Sequence, residues 1–336
     1  MEVIVATRDT HVIPISDHSR IGDARRTIGE LAKSLGFDET RRGKIEIVAS
    51  ELATNLHNHA QGGYLLVRSH GLADGIEILA VDRGPGISNL AECMRDGFST
   101  AGTAGNGIGA VKRQSQVFDI FSQPGVGTVV LAQLFRAAHP GPSRFTVGAI
   151  SVALAGEPIC GDSWTASVSP RGARVAVADG LGHGPDAAQA SLNAMRSVEM
   201  SPGQPGTMVV ANAHRSIAST RGAAMSLCDI DTEAGLARFV GVGNVAGAIV
   251  RGGQILSMVS HNGTVGHQLL KTQEFTYPWT KDSILIMHSD GLTSRWNLDH
   301  GPGLAMRHPS VIAAVLHRDF VRGRDDVCVV VMREGA

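Results

Sequence analysis

ELATNLHNHA, residues 51–60, decides how the first half of this chain is read. It is the second part of a longer periodic stretch, residues 42–60, in which Ile45, Val48, Leu52 and Leu56 recur at steps of three and four. That spacing predicts an amphipathic helix with one buried stripe. Glu51, Asn55 and His59 follow at four-residue steps, so they share a neighbouring ridge. A carboxylate and an amide on one face can cooperate. Asparagine offers a divalent cation a neutral oxygen, and glutamate accepts a proton. On the helix alone, an ordinary solvated face is the plainer account of the pattern.

Two stretches downstream change the balance. DRGPGI, residues 82–87, directly follows a strand expected over 76–81. An aspartate at a strand end, with glycines behind it, can present carboxylate oxygens to a pocket that backbone approaches closely. A surface turn is the simpler reading of the same residues. AGTAGNGIGAVKR, residues 101–113, then places Gly102, Gly105, Gly107 and Gly109 before a helix-like segment. Free N–H groups at such a helix start can cradle phosphate. Gly105, Gly107 and Ala110 also satisfy the dinucleotide pattern G-x-G-x-x-A, but GFSTAGTAGN before them is no strand, which excludes that reading.

Taken in order, ELATNLHNHA, DRGPGI, GNGIG and Gly127-Thr128 resemble the GHKL ATPase/kinase superfamily over residues 1–136. Within it, the segment is similar to the serine kinases and anti-sigma factors of bacterial partner-switching systems. The resemblance implies a Bergerat-type α/β sandwich that binds ATP with Mg2+. It implies Glu51 as catalytic base, Asn55 as Mg2+ ligand and Asp82 as the contact to the adenine amino group. Gly84 and Gly86 would lie beneath the base, Gly105, Gly107 and Gly109 at the phosphates, and Thr128 beside the adenine. No phosphoacceptor-histidine helix precedes the segment, which argues against a sensor histidine kinase.

Working outward, helices are expected over 19–35 and 42–60, with strands over 3–6, 11–13, 64–69, 76–81, 117–122 and 128–135. This is α+β, with helices on one face of a sheet. RAAHPGPSR, residues 136–144, combines prolines, glycine and small residues, so the expected boundary is a linker at 137–143. Beyond it, strand-like runs are expected over 164–168, 174–178, 224–228, 237–242, 246–250, 284–287 and 327–332. Helical periodicity covers 185–198, 206–218 and 309–320.

Four aspartates flank those runs: Asp162, Asp179, Asp290 and Asp325. Carboxylates at strand ends can converge on one sheet edge, and an all-oxygen set favours Mg2+ or Mn2+ over Zn2+. For any single aspartate, an Asp-Gly turn is the plainer account, as at Asp74-Gly75. Residues 144–336 as a whole resemble the SpoIIE-like branch of the type 2C protein phosphatases. The resemblance runs through CysGlyAsp162, the DGLGHG stretch at 179–184, HisSerAsp290-Gly291 and Asp325-Asp326, with Arg221-Gly222-Ala223-Ala224 and Gly241-Val242-Gly243-Asn244 between them. It implies an α-β-β-α sandwich holding two cations by Asp162, Asp179, the Gly180 carbonyl, Asp290 and Asp325, with in-line attack of water on phosphoserine. His183 is either a phosphate contact or a packed loop residue, and Glu157 can shape the loop. Asp325-Asp326 departs from the Asp-Asn pair of the eukaryotic enzymes, and no phosphate-binding arginine is identifiable.

The bulk numbers agree with a cytoplasmic two-domain regulator. The 336 residues exceed one ordinary domain, and 30 Lys+Arg against 31 Asp+Glu argue for neither nucleic acid nor an anionic membrane as partner. The opening MEVIVATRDTHVIP has no basic stretch followed by an apolar run. Cys93, Cys160, Cys228 and Cys328 form no CxxC pair and are expected to be buried small hydrophobes. The expected activity is bifunctional: phosphorylation of a STAS-domain protein by the first half, and hydrolysis of phosphoserine or phosphothreonine by the second. Two alternatives stand beside it. In one, the first half is an ATP-liganded clamp for a sigma factor or other regulator; in the other, nucleotide occupancy only tunes the phosphatase.

Overall fold

The computed structural model describes residues 2–4, 10–70, 74–90, 107–137, 143–268 and 271–335. They fall into two compact units, and each unit borrows from the far end of the chain. One comprises Thr10–Gly141 with Gly301–Arg318; the other comprises Met1–Asp9, Pro142–His300 and Asp319–Ala336. The compact units differ in extent from the expected division into 1–136 and 144–336.

In the first unit, helix α1 (Ser19–Ser34) and helix α2 (Glu39–Ala60) pack on an antiparallel sheet. Its strands are β2 (His11–Ile15), β3 (Gly63–His70), β4 (Gly75–Val81), β5 (Val117–Gln123) and β6 (Gly127–Phe135), in the order β2-β3-β4-β6-β5. Helix α2 begins at Glu39 because the Asp38 carboxylate accepts a hydrogen bond from the Arg41 N–H at 2.8 Å. It ends where Gln61 turns left-handed at φ 59°. Ile45, Val48, Leu52 and Leu56 are buried as their spacing predicts, in a core shared with Leu65, Ile78 and Val130.

Every residue of β4 and β6 is buried, so both faces of this sheet are covered. Helix α6 (Pro309–Phe320) meets the face opposite α1 and α2, and Pro309 to Arg318 are buried without interruption. A helix apolar all round must be enclosed, and its period alone does not tell which sheet takes it.

One polar network sits in that layer. Arg68 pairs with Glu77 at 2.6 Å, and the other Glu77 oxygen accepts from Gln133 Nε2 at 2.6 Å and Ser310 Oγ at 2.7 Å. Burial pushes the Glu77 carboxyl up, but the Arg68 charge and hydrogen bond outweigh it and hold the group at about 2. The folded value lies below the ordinary one, so this contribution to stability is complete above the ordinary glutamate range and is lost as pH falls toward 2. Glu77→Gln strands the Arg68 charge, and a cost of roughly 3–5 kcal/mol is expected. Denaturant titration of the full chain at pH 7 measures it; a loss below about 1 kcal/mol would show that the pair contributes little.

The second unit stacks two antiparallel sheets. One has the order β1-β8-β9-β10-β11-β14, from β1 (Glu2–Ile4), β8 (Asp162–Ser169), β9 (Gly172–Gly180), β10 (Ala223–Asp231), β11 (Leu236–Val242) and β14 (Phe275–Pro278). The other has the order β13-β12-β15-β16-β7, from β7 (Phe145–Val152), β12 (Ala246–Arg251), β13 (Gln254–Ser257), β15 (Ile284–His288) and β16 (Val327–Glu334). Helix α4 (Pro185–Glu199) and helix α5 (Gly206–Ser216) cover the first sheet through Met195, Val198, Val209 and Val210.

The expected strand over 3–6 is β1, and it belongs here. It pairs Glu2 with Val168 and Ile4 with Ala166, closing an edge of β8 that would otherwise expose unpaired backbone groups. Strands β7, β13 and β14 are not among the expected strands. Two of these, β13 and β14, have only four residues each and carry exposed positions, which leaves little periodicity to read. Cys160, Cys228 and Cys328 are buried thiols whose burial raises their pKa values, so they pack as small hydrophobes; Cys93 lies outside the described residues. No helix among the described residues is long and apolar enough to cross a membrane.

Candidate functional site

In the first unit, α2 carries Glu51 and Asn55 one turn apart. Helix α3 (Gly107–Gln114) starts directly against them. A Cβ built on Gly107 would stand 3.1 Å from Asn55 Oδ1 and 3.6 Å from Glu51 Oε2, so glycine lets the helix start approach both side chains. The buried Asn55 Nδ2 has no hydrogen-bond partner, which is costly unless a ligand meets this amide. Gly109 is buried within α3, and Gly105 lies outside the described residues.

Asp82 ends up just past β4. Its Oδ1 accepts from the Gly84 N–H at 2.8 Å and the Thr128 N–H at 3.1 Å, and its own N–H donates to the Thr128 carbonyl at 3.0 Å. Both bonds go to one oxygen and leave Oδ2 for a donor such as an exocyclic amine. Burial raises the carboxyl above its usual range, while the two N–H groups and the Arg318 charge oppose that rise. Gly86 turns at φ 69°, and a Cβ there would lie 2.3 Å from the Gln123 carbonyl, so no other residue fits. Thr128 Oγ1 is 2.8 Å from Ser122 Oγ, which in turn accepts from the Ile87 N–H.

In the second unit, strand register brings the acidic residues together. Asp162 opens β8 and Asp179 stands directly opposite it near the end of β9. Two like charges facing across a ladder are destabilising. Asp162 is 3% exposed, with its Oδ2 buried and unpartnered; Asp326, 2% exposed, likewise has an orphaned Oδ2. Burial and then the Asp179 charge raise Asp162 well above the carboxylate range. Asp179 is pushed up to about 7 by burial, with Asp290, Asp325 and Asp326 adding to it.

Asp290, in the turn after β15, accepts from Asn244 Nδ2 at 2.7 Å, and the Asp325 carboxylate accepts from the Asp326 N–H at 2.9 Å. Among the described residues, no group of three or more His, Cys, Asp or Glu side chains is placed to hold a metal ion. The mutual repulsion and the two orphaned oxygens are nevertheless what a cation would relieve, so this donor set fits divalent metal. Gly180 and Gly291 allow close packing here: a Cβ would fall 2.1 Å from the Ala187 carbonyl and 1.9 Å from the Asp326 carbonyl.

The glycine loop after Gly180 is flanked by a histidine–carboxylate contact and an ion pair. His183 is 2.6 Å from Glu157 and more than half exposed, so it is no packed loop residue. Arg221 pairs with Asp186 at 2.8 Å, and its Nη1 would stand 3.0 Å from a Cβ on Gly182. The Ala223–Gly180 and Ala224–Asp179 pairing places Arg221 at the strand end where the aspartates gather. Sequence reasoning assigns no site role to Arg221, Asn244 or Asp326. Only the TRGAA and GVGN stretches carry a signal for the first two, through their glycine-bearing strand ends.

Comparison with known proteins gives two family matches. Residues 16–134 match the histidine kinase-like ATPase domain family, and residues 169–334 match the Stage II sporulation protein E (SpoIIE) family. Serine/threonine-protein kinase RsbT of Bacillus subtilis (strain 168) is 39% identical over 114 residues, 32% of this chain and 84% of that protein. A chain solved in work on the bacterial stressosome, a modular system adapted to control secondary messenger signalling, is 28% identical. It superposes with a TM-score of 0.53, covering 56% of this chain and 99% of its own. RsbX in complex with magnesium is 22% identical, with a TM-score of 0.50 over 57% of this chain and 96% of its own, and shows the fold.

Proposed function

Because this chain belongs to the family of the serine/threonine kinase RsbT and continues into a SpoIIE-type phosphatase domain, we propose a partner-switching regulator that adds and removes phosphate on a STAS-domain protein. The observation that carries the phosphatase half is the apposition of Asp162 and Asp179 with two orphaned carboxylate oxygens beside them. Asp162, Asp179, the Gly180 carbonyl, Asp290 and Asp325 would hold two Mn2+ or Mg2+ ions. When bound, such ions neutralise phosphate charge and supply a nucleophile at neutral pH. Arg221, freed from the exposed Asp186 pair, takes the substrate phosphate oxygens through its fork of donors.

In the kinase half, Glu51 accepts the proton of the partner's serine or threonine hydroxyl as that oxygen bonds the γ-phosphorus, and the bond to the ADP oxygen breaks. Asn55 would hold Mg2+, Asp82 would accept from the adenine amine over Gly84 and Gly86, and Thr128 would lie beside the base. Gly105, Gly107 and Gly109 give the phosphates backbone N–H groups. Incubating the full chain with STAS proteins of the same genome, ATP and Mn2+, then following intact mass, tests both halves. Phosphate should appear on one such protein and disappear when ATP is withdrawn. No change on any of them would overturn the partner class.

Arg221→Ala should raise KM for the phosphoprotein about tenfold while altering kcat much less, because a charge-assisted contact to the substrate is lost and the acidic cluster is kept. Steady-state kinetics on the phosphorylated partner measures the split. An unchanged KM removes Arg221 from substrate binding.

A further inference from the structure

We infer that Arg318, carried on α6 from the C-terminal part of the sequence, is a positioning residue of the nucleotide site: it holds the Asp82 turn in the geometry that recognises the base. The inference rests on the reading of Asp82 as the adenine contact. It adds a residue that lies outside the 16–134 stretch matching the ATPase family.

The contacts are reciprocal. Arg318 Nη1 donates to the Asp82 main-chain carbonyl at 3.3 Å, and the Arg83 guanidinium donates back to the Arg318 main-chain carbonyl. Arg318 is 2% exposed, which is rare for an arginine and demands compensating partners. The neighbouring turn is held as well, since His317 Nδ1 lies 3.2 Å from the Tyr64 hydroxyl. Further back, Ser310 is bonded to Glu77, and the His308 N–H donates to Asp119 at 2.6 Å. The helix is thus fastened at both ends before its last turn reaches Asp82.

The charge has a second effect. Asp82 is buried, and burial favours its neutral acid, which cannot offer both oxygens as acceptors. The charged groups about it are Arg318 from α6 and Arg83 beside it in the chain; His317 is held neutral, its pKa pushed down to about 4 by burial and Arg83. The Arg318 charge opposes the burial, after the Gly84 and Thr128 N–H groups. Without that charge the Asp82 carboxyl rises further, so base recognition weakens at lower pH and recovers as pH rises.

The test uses the full chain, MgADP as the probe, and calorimetry from pH 6 to pH 8.5. Arg318→Met keeps the stem and removes the charge; Arg318→Lys keeps the charge. We expect wild type and Arg318→Lys to bind with little pH dependence, and Arg318→Met to bind about tenfold more weakly at pH 6 than wild type, with the gap narrowing toward pH 8.5. Equal binding by all three proteins overturns the inference. A uniform loss at every pH, in Arg318→Met or in both variants, also overturns it, because that is the signature of loosened structure alone. Should Arg318→Met fail to fold, Arg318→Gln, which also removes the charge, is judged by the same criterion against wild type. If wild type itself binds no MgADP, the reading of the nucleotide site has failed instead.

Discussion

Asp162→Asn should abolish metal-dependent phosphatase turnover and at the same time make the metal-free chain slightly more stable. The two effects have one cause. Asp162 and Asp179 face each other across β8 and β9, and Asp162 has a buried oxygen without a partner. In the absence of a cation burial and the facing carboxylate both disfavour the charged form of Asp162, and relieving the like-charge part is worth up to about 1 kcal/mol. With a cation, the same charge is a ligand, and its loss should exceed the roughly 10–100-fold effect of removing a residue behind a ligand. Thermal melts with and without Mn2+ give a readout independent of turnover, since a cation that binds only the folded chain raises Tm. Wild type should gain Tm on adding Mn2+, and Asp162→Asn should gain far less. A variant with the wild-type Mn2+ shift and turnover within tenfold would remove Asp162 from the metal site.

Glu51→Gln should leave nucleotide affinity intact and slow phosphotransfer about 100-fold or more, because an amide keeps the shape of the side chain but takes up no proton. Glu51 and Asn55 face the start of α3 together, so binding and chemistry are separable on one helix. The measurement is best made in an Asp290→Asn background, where the second unit cannot erase new phosphate. Calorimetry with ATP and intact-mass analysis of the partner are then compared. Equal transfer by both forms would rule out Glu51 as the base. If neither form transfers phosphate yet both bind the partner, the first half is an ATP-dependent clamp for a regulator, and the phosphatase is the only catalyst.

Local features of this protein are legible in its amino-acid sequence. The stripe of Ile45, Val48, Leu52 and Leu56 marks α2 because helical period and burial are local properties of sequence. Asp82, Asp179 and Asp290 stand at strand ends where the sequence places them, because Asp-Gly and Asp-Arg-Gly steps end strands by their own backbone chemistry. The same local logic explains the order of motifs in each half.

Partnership is settled by tertiary structure. The apolar run in α6 announces a helix but is silent about which sheet it covers, and α6 joins the ATP-binding unit rather than the phosphatase sequence around it. Strand β1 likewise pairs with β8, more than 160 residues away, because an open edge accepts any strand of suitable register. Register alone sets Asp162 against Asp179, since a slip of one residue would send one carboxylate to the other face. Arg318 at Asp82 carries no motif at all, because a guanidinium acts wherever its long stem reaches, and that reach is a property of the packed fold.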